Sequence, residues 1–311
     1  MIKTVLITGA AGFIGSHLCD KFLSEGFNVL GIDNFDTGTI ENINHLKSNS
    51  NFEFQEIDIT KEFKISKKID YILHFASPAS PMDYLKMPIK TMRVGSIGTE
   101  KMLKISKKNN CTILVASTSE IYGDPLEHPQ KESYYGNVNC IGPRGVYDEA
   151  KRYLEAISYA YNRFKKVDVR VARIFNSYGP RMRVTDGRAI PTFINQAINN
   201  KNFTVFGNGK QTRSFCYVSD TVDGIYKLLM SSYIYPVNIG NPNEYSLLDL
   251  LKIIKKICPS SSKIIFKNLP ENDPKMRKPD ISIAKKLLNW TPNTSINEGL
   301  HKTLDYYKQI T

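Results

Sequence analysis

Thr4-Val5-Leu6-Ile7-Thr8 runs directly into Gly9-Ala10-Ala11-Gly12-Phe13-Ile14-Gly15, and this junction decides the fold. The first five residues are apolar and β-branched, as a buried strand requires. The residues after Gly15 have the spacing of an amphipathic helix to about Glu25, and a second apolar run, Phe27 to Ile32, ends at Asp33. The order is strand, glycine turn, helix, strand, acid. One glycine permits the tight turn, one lets a pyrophosphate approach the backbone, and one lets helix and strand pack closely. The helix N-terminus then offers free N–H groups and the positive end of its dipole to phosphates. Asp33 lies where an acid accepts from a ribose 2′-hydroxyl and repels a 2′-phosphate, so the expected cofactor is NAD rather than NADP.

Working outward, 311 residues exceed what one core usually holds, so a large α/β domain with an added lobe is expected. No apolar run approaches the ~18 residues of a membrane span. Met1 stands two residues before the first strand, leaving no room for a signal peptide, so a cytoplasmic protein is expected. The five cysteines are widely spaced without a C-x-x-C pair, which suits reduced thiols, and the scattered histidines form no metal constellation. The net charge of +12 invites a nucleic-acid reading. Yet the lysines are spread as pairs such as Lys107-Lys108 and Lys255-Lys256, without interleaved arginine and aromatic residues. Solvated faces and attraction for a small polyanionic substrate account for the charge better.

Along the N-terminal half, strand and helix alternate. Phe52 to Ile57 reads as a strand leading to Asp58-Ile59, a usual place for an adenine contact. Tyr71 to Phe75 reads as a buried strand followed by the loop Ala76-Ser77-Pro78-Ala79-Ser80-Pro81, at the edge where open α/β sheets bind ligands. Ile89 to Lys108 is expected to be one long helix. The strand from Thr112 enters Ser117-Thr118-Ser119-Glu120, and a loop of roughly two dozen residues rich in Pro, Gly and Asn follows; loops of that length are usually functional. A helix from about Val146 to Phe164 and a strand from Val167 to Ile174 come next. Beyond these the alternation breaks, with a helix over Arg188–Asn199, strands at Phe203–Phe206 and Arg213–Val218, a helix to Met230, a strand at Pro236–Ile239, and a mostly helical tail. The expected fold is a Rossmann-type, doubly wound parallel sheet with a smaller C-terminal substrate-binding lobe. Residues 1–175 would bind the cofactor with 211–240 returning to them, and 176–311 would mainly bind substrate.

Tyr147 and Lys151 stand four apart on one helix face, just after the long loop. A tyrosine can act as base if a nearby ammonium and a cofactor charge stabilise its phenolate. Tyr161 and Lys165 repeat the spacing about four turns along and read as packing. Thr118 at a strand end can bond the tyrosine or a substrate hydroxyl, and Glu120 is a candidate acid/base in the same cleft.

The G-x-x-G-x-x-G spacing resembles the short-chain dehydrogenase/reductase superfamily, and Asp33-Asn34-Phe35 resembles its extended, nucleotide-sugar-modifying branch. Thr118-Ser119-Glu120-Ile121-Tyr122-Gly123-Asp124-Pro125, Gly136-Asn137-Val138-Asn139, Ile141-Gly142-Pro143-Arg144 and Tyr147-Asp148-Glu149 narrow the resemblance to the UDP-glucuronate decarboxylase (UDP-xylose synthase) family. So do Arg173-Ile174-Phe175-Asn176, Gly179-Pro180-Arg181-Met182, Asp273-Pro274 and Arg277-Lys278-Pro279-Asp280-Ile281. The chain departs from it with Gly95 where an Asn is usual and Cys140 where a Pro is usual.

The resemblance implies a lyase that oxidises C4 of UDP-glucuronate, releases CO₂ and reduces C4 again with the same NAD. It implies catalytic roles for Thr118, Glu120, Tyr147, Lys151 and Arg277, the individual parts of Glu120 and Arg277 staying open. Asn176, Arg188 and Arg213 would meet the sugar and diphosphate, with Tyr84 and Arg93 as further candidates, because arginine suits bidentate contact with phosphate and carboxylate. The cofactor set would be Gly9, Gly12, Phe13, Ile14, Gly15, Asp33, Asn34 and Thr37, then Asp58, Ile59, Ala76, Ser77, Tyr147 and Lys151. A homodimer through the helices at Ile89–Lys108 and Val146–Phe164 is implied likewise. A 4-epimerase, a 4,6-dehydratase, an oxidase stopping at the keto sugar and a non-catalytic NAD-binding regulator are the alternatives; Glu120 with Arg277 favours the decarboxylase.

Overall fold

The structure, a computed structural model, describes residues 2–269 and 276–310; the Asp273-Pro274 pair lies outside them. In chain order the elements begin β1 (Thr4–Thr8), α1 (Phe13–Ser24), β2 (Asn28–Asp33), β3 (Phe52–Glu56), β4 (Tyr71–His74), α2 (Pro81–Lys86) and α3 (Pro88–Arg93). A π-helical turn (Val94–Gly98) leads to α4 (Thr99–Asn109), β5 (Thr112–Thr118), a 3₁₀ turn (Ser119–Tyr122), α5 (Gly145–Lys165), β6 (Val169–Ile174) and β7 (Ser177–Tyr178). Then come α6 (Ala189–Ile198), β8 (Phe203–Phe206), β9 (Thr212–Ser214), β10 (Cys216–Tyr217), α7 (Val218–Met230) and β11 (Pro236–Ile239). The last are β12 (Glu244–Ser246), α8 (Leu247–Ile257), β13 (Ile264–Lys267), α9 (Ser282–Leu288) and α10 (Ile296–Ile310).

Seven parallel strands form the central sheet in the order β11-β6-β5-β4-β1-β2-β3. Alternation along β1 feeds two cores. Val5 and Ile7 pack with Leu18 and Phe22 of α1 and Ile225 and Leu228 of α7, while Leu6 packs with Met102 and Leu103 of α4 and Leu154 of α5. The order reverses between β1 and β4, so the carboxyl ends of those strands open a crevice there. Beside it a smaller lobe is built from α6, α8 and three two-stranded pairings, each between segments distant in the chain: β7 with β10, β8 with β13 and β9 with β12.

Four expectations change. The long helix at Ile89–Lys108 is interrupted by the π turn: a Cβ on Gly95 would lie 2.9 Å from the Ala150 Cβ, so the missing side chain lets the turn rest on α5. The strand expected at Arg213–Val218 breaks at Phe215, because β9 pairs antiparallel with β12 whereas β10 pairs parallel with β7. The tail contains strands as well as helices. Pro81, read as the end of a loop, instead opens α2, and the Ser80 Oγ accepts from the Asp83 N–H at 3.2 Å.

Candidate active site

A cavity of about 920 Å³ runs from the glycine turn to the C-terminal lobe across the point where strand order reverses. Gly9 turns the chain at φ +72°, and a Cβ on it would lie 2.8 Å from the Ala76 N; one on Gly15 would lie 1.9 Å from the Gly9 carbonyl oxygen. Glycine is therefore required at both points. The α1 N-terminus has no side-chain cap and no acid in its first turn, and Gly12, Phe13, Ile14 and Gly15 all line the cavity. This open end fits a dinucleotide pyrophosphate. At the adjoining strand end, Asp33 Oδ2 accepts from the Ala11 N–H at 3.0 Å and Oδ1 from the Phe35 N–H at 2.9 Å. Asn34, Thr37, Asp58, Ile59, Ala76 and Ser77 continue the same wall.

The chemistry-bearing side chains gather in the middle. Thr118 ends β5, Glu120 follows on the 3₁₀ turn, and Tyr147 and Lys151 face them from the first turns of α5. Burial raises the Tyr147 phenol, while a hydrogen bond with Thr118 favours its ionised form. Burial also lowers Lys151 to about 8; its ammonium donates to the Ala116 carbonyl at 2.8 Å and stands 5.6 Å from the Tyr147 ring centroid. Tyr84 is buried, and its hydroxyl has no hydrogen-bond partner among the described residues.

Glu120 is bonded to Arg277 through one carboxylate oxygen and to Arg144 through the other. Burial opposes its charge, but the two guanidinium groups outweigh burial and hold the carboxyl below the usual carboxylate range. The arrangement favours the ionised form of Glu120, as the shared partner of two cations. The neighbouring Asp148 is driven upward, first by burial and then by the Glu120 charge.

Asn176, Arg188 and Arg213 line the lobe side of the cavity. Asp186 fixes Arg188 through bonds of 2.5 and 2.8 Å. Arg93 is the exception: it ends α3 with an exposed side chain and does not line the cavity, which corrects the substrate contact that the resemblance implied for it. Sequence reasoning also missed Arg144 as the second partner of Glu120. Its one available signal was its position three residues before Tyr147 at the end of the long loop.

Comparison with known proteins now has a geometry to attach to. The GDP-mannose 4,6 dehydratase family model matches residues 6–303. UDP-glucuronic acid decarboxylase 1 of Xenopus tropicalis is 48% identical over 307 residues, covering 99% of this chain and 72% of that protein. UDP-glucuronic acid decarboxylase 1 of Arabidopsis thaliana is 47% identical over 304 residues, covering 98% and 69%. The solved UDP-glucuronic acid 4-epimerase of Bacillus cereus, in complex with UDP-glucuronic acid and NAD, superposes with a TM-score of 0.91 at 31% identity, covering 99% of this chain and all of that one. The chain belongs to the extended short-chain dehydrogenase/reductase family that the GDP-mannose 4,6 dehydratase model describes, and within it to the UDP-glucuronic acid decarboxylases.

Proposed function

We propose that the chain converts UDP-glucuronate to UDP-xylose and CO₂, using NAD as a recycled cofactor. The observation that carries this reading is the buried Glu120–Arg277 pair beside Thr118, Tyr147 and Lys151. When bound, NAD supplies a two-electron acceptor that is restored within each turnover. Tyr147 takes the proton of the C4 hydroxyl, Thr118 orients that hydroxyl, and the Lys151 ammonium stabilises the phenolate. With C4 a ketone, the sugar is a β-keto acid. The C5–C6 bond breaks, CO₂ leaves, and the bonding pair is held as an enolate on the C4 oxygen, close to Tyr147. A proton then returns to C5, C4 is reduced, and Tyr147 gives back its proton. Arg277 and Arg144 serve the C6 carboxylate end, and Glu120 keeps them together before substrate arrives. Arg188, Arg213 and Asn176 hold the sugar diphosphate, for which guanidinium groups are suited.

In this reading residues 1–175 with 211–240 carry the cofactor, and the remainder mainly carries the nucleotide sugar. A homodimer is part of the proposal: Ile89, Met92 and Ile97 on α3 and the π turn, and Tyr153 on α5, are large exposed apolar side chains on the helices concerned. Met92→Lys should shift the mass in solution from dimer to monomer. Among the described residues no helix is long and apolar enough to cross a membrane. The five cysteines are all free, which supports a cytoplasmic location, testable by fractionation.

Mass spectrometry of the protein incubated with UDP-glucuronate and NAD tests the reaction. A product lighter by one CO₂, with the mass of a UDP-pentose, supports the full cycle. A product lighter by two further hydrogens means the keto sugar is released. Unchanged mass with a new chromatographic position gives the 4-epimerase reading, which the likeness to the Bacillus cereus enzyme makes the natural competitor.

A further inference from the structure

Behind the Glu120–Arg277 pair lies a chain of buried hydrogen bonds that the reaction itself does not use. It starts on α5, where Glu155 binds Arg173 of β6 through two bonds of 2.9 and 2.8 Å and accepts from the Ser117 hydroxyl at 2.5 Å. Arg173 donates to the Tyr122 hydroxyl at 3.0 Å, and Tyr122 donates to Asn238 Oδ1 at 2.8 Å. Tyr122 ends the 3₁₀ turn that carries Glu120. The Asn238 amide nitrogen donates at 3.0 Å to two carbonyls, those of Gln130 and Asp280. Gln130 in turn accepts from the Lys278 N–H through Oε1 at 2.8 Å, donates its own N–H to the Lys278 carbonyl at 2.9 Å, and accepts from the Asp280 N–H at 2.8 Å. Asn238 and Gln130 are fully buried. The backbone on the C-terminal side of Arg277 is thereby tied to the turn that carries Glu120.

We propose that Asn238 is a positioning residue that sets where the Arg277 guanidinium stands relative to Glu120 and to the carboxylate of the substrate. Its side chain joins the Glu120 turn, through Tyr122, to the backbone after Arg277, through Asp280 and Gln130, beside the direct bond from Arg277 Nη2 to the Gly123 carbonyl at 2.9 Å. The inference rests on the reading of Arg277 as a group that serves decarboxylation. A guanidinium displaced by an ångström would weaken the step at C6 while leaving proton removal at the C4 hydroxyl, the task of Tyr147, in place.

The test compares Asn238→Ala and Tyr122→Phe with the parent protein, each incubated with UDP-glucuronate and NAD. Tyr122→Phe keeps the buried ring and removes the hydroxyl, so it decides the matter alone if Asn238→Ala does not fold. Three quantities are read: NADH formed on mixing, CO₂ released, and hydrogen exchange at the amides of Lys278 and Asp280. The expected result is CO₂ release slowed roughly 10- to 100-fold relative to NADH formation, with faster exchange at both amides. A smaller change in the same direction is expected for Tyr122→Phe. NADH formation and CO₂ release falling together, or neither changing, overturns the proposal; so does unchanged exchange. A parent protein that releases no CO₂ overturns the decarboxylase reading instead, and the exchange measurement still judges the positioning role.

Discussion

The phenol ring of Tyr84 lies flat against that of Tyr147, with centroids 5.0 Å apart and planes 7° from parallel. An offset stack of this kind fixes the orientation of the Tyr147 ring, the base in the proposed reaction, and the Tyr84 hydroxyl is buried with no hydrogen-bond partner among the described residues. Tyr84→Leu should lower kcat by roughly 10-fold or more because Tyr147 loses its support. Tyr84→Phe should keep both kcat and KM within a few-fold, because it retains the stacked ring and removes a buried hydroxyl that makes no hydrogen bond among the described residues. Steady-state kinetics on the two variants separates the effects.

Glu120 neutralises Arg277, which is buried, and Arg144, which is half-buried. Glu120→Gln leaves Arg144 and Arg277 without their shared counter-charge, which should destabilise the protein by about 3 kcal/mol or more. Bound substrate should recover part of that loss by bringing its own carboxylate. The check is thermal unfolding with and without UDP-glucuronate: the substrate-induced rise in Tm should be larger for the variant than for the parent protein.

Lys151 gives a pH signature. Burial lowers its ammonium from 10.5 to about 8. Below pH 8 both folded and unfolded chains hold the proton and the penalty is constant. As pH rises from 8 to 10.5 the folded chain gives up the proton first, so the penalty fades and stability rises. Lys151→Met should therefore be more stable than the parent at pH 7, by roughly 1–2 kcal/mol after the lost bond to Ala116, with the difference shrinking toward pH 10. Urea midpoints across that range measure it, while turnover falls about 100-fold or more.

In the proposed cofactor site Asp33, held by its bonds to the Ala11 and Phe35 N–H groups, would set cofactor choice through its charge. Asp33→Ser should weaken NAD about 10-fold or more and narrow its advantage over NADP. Titration calorimetry with both dinucleotides reads the ratio.

Gly95→Ala should cost about 1–3 kcal/mol, because its Cβ would press on Ala150 one residue from Lys151. The displaced helix carries Tyr147 and Lys151, so kcat should fall more than KM rises.

The sheet and its ligand edge were legible because their signals are local: period-two burial, glycines at a forced turn, an acid at the end of β2. Tyr147 with Lys151 was legible for the same reason, since four helical residues fix a face. The π turn at Gly95 was not, because its cause is Ala150, which lies 55 residues further along the chain. Arg144 escaped for a similar reason, its partner Glu120 lying across a loop that no periodicity describes. Arg93 was misplaced because only the resemblance and its charge named it, and the π turn that follows α3 could not be foreseen.

The seventh strand, β11, comes from residues 236–239 yet pairs with β6, which ends at Ile174. Between them the chain builds α6, α7 and the four short strands β7 to β10. Synthesis therefore leaves β6 as a bare edge, with Val169 and Val171 on it, until some sixty more residues have emerged. A fragment cut at 175 would keep that edge permanently and should aggregate through it. The central sheet of this protein is finished only by chain that has already passed through the smaller lobe, and the two mature as one.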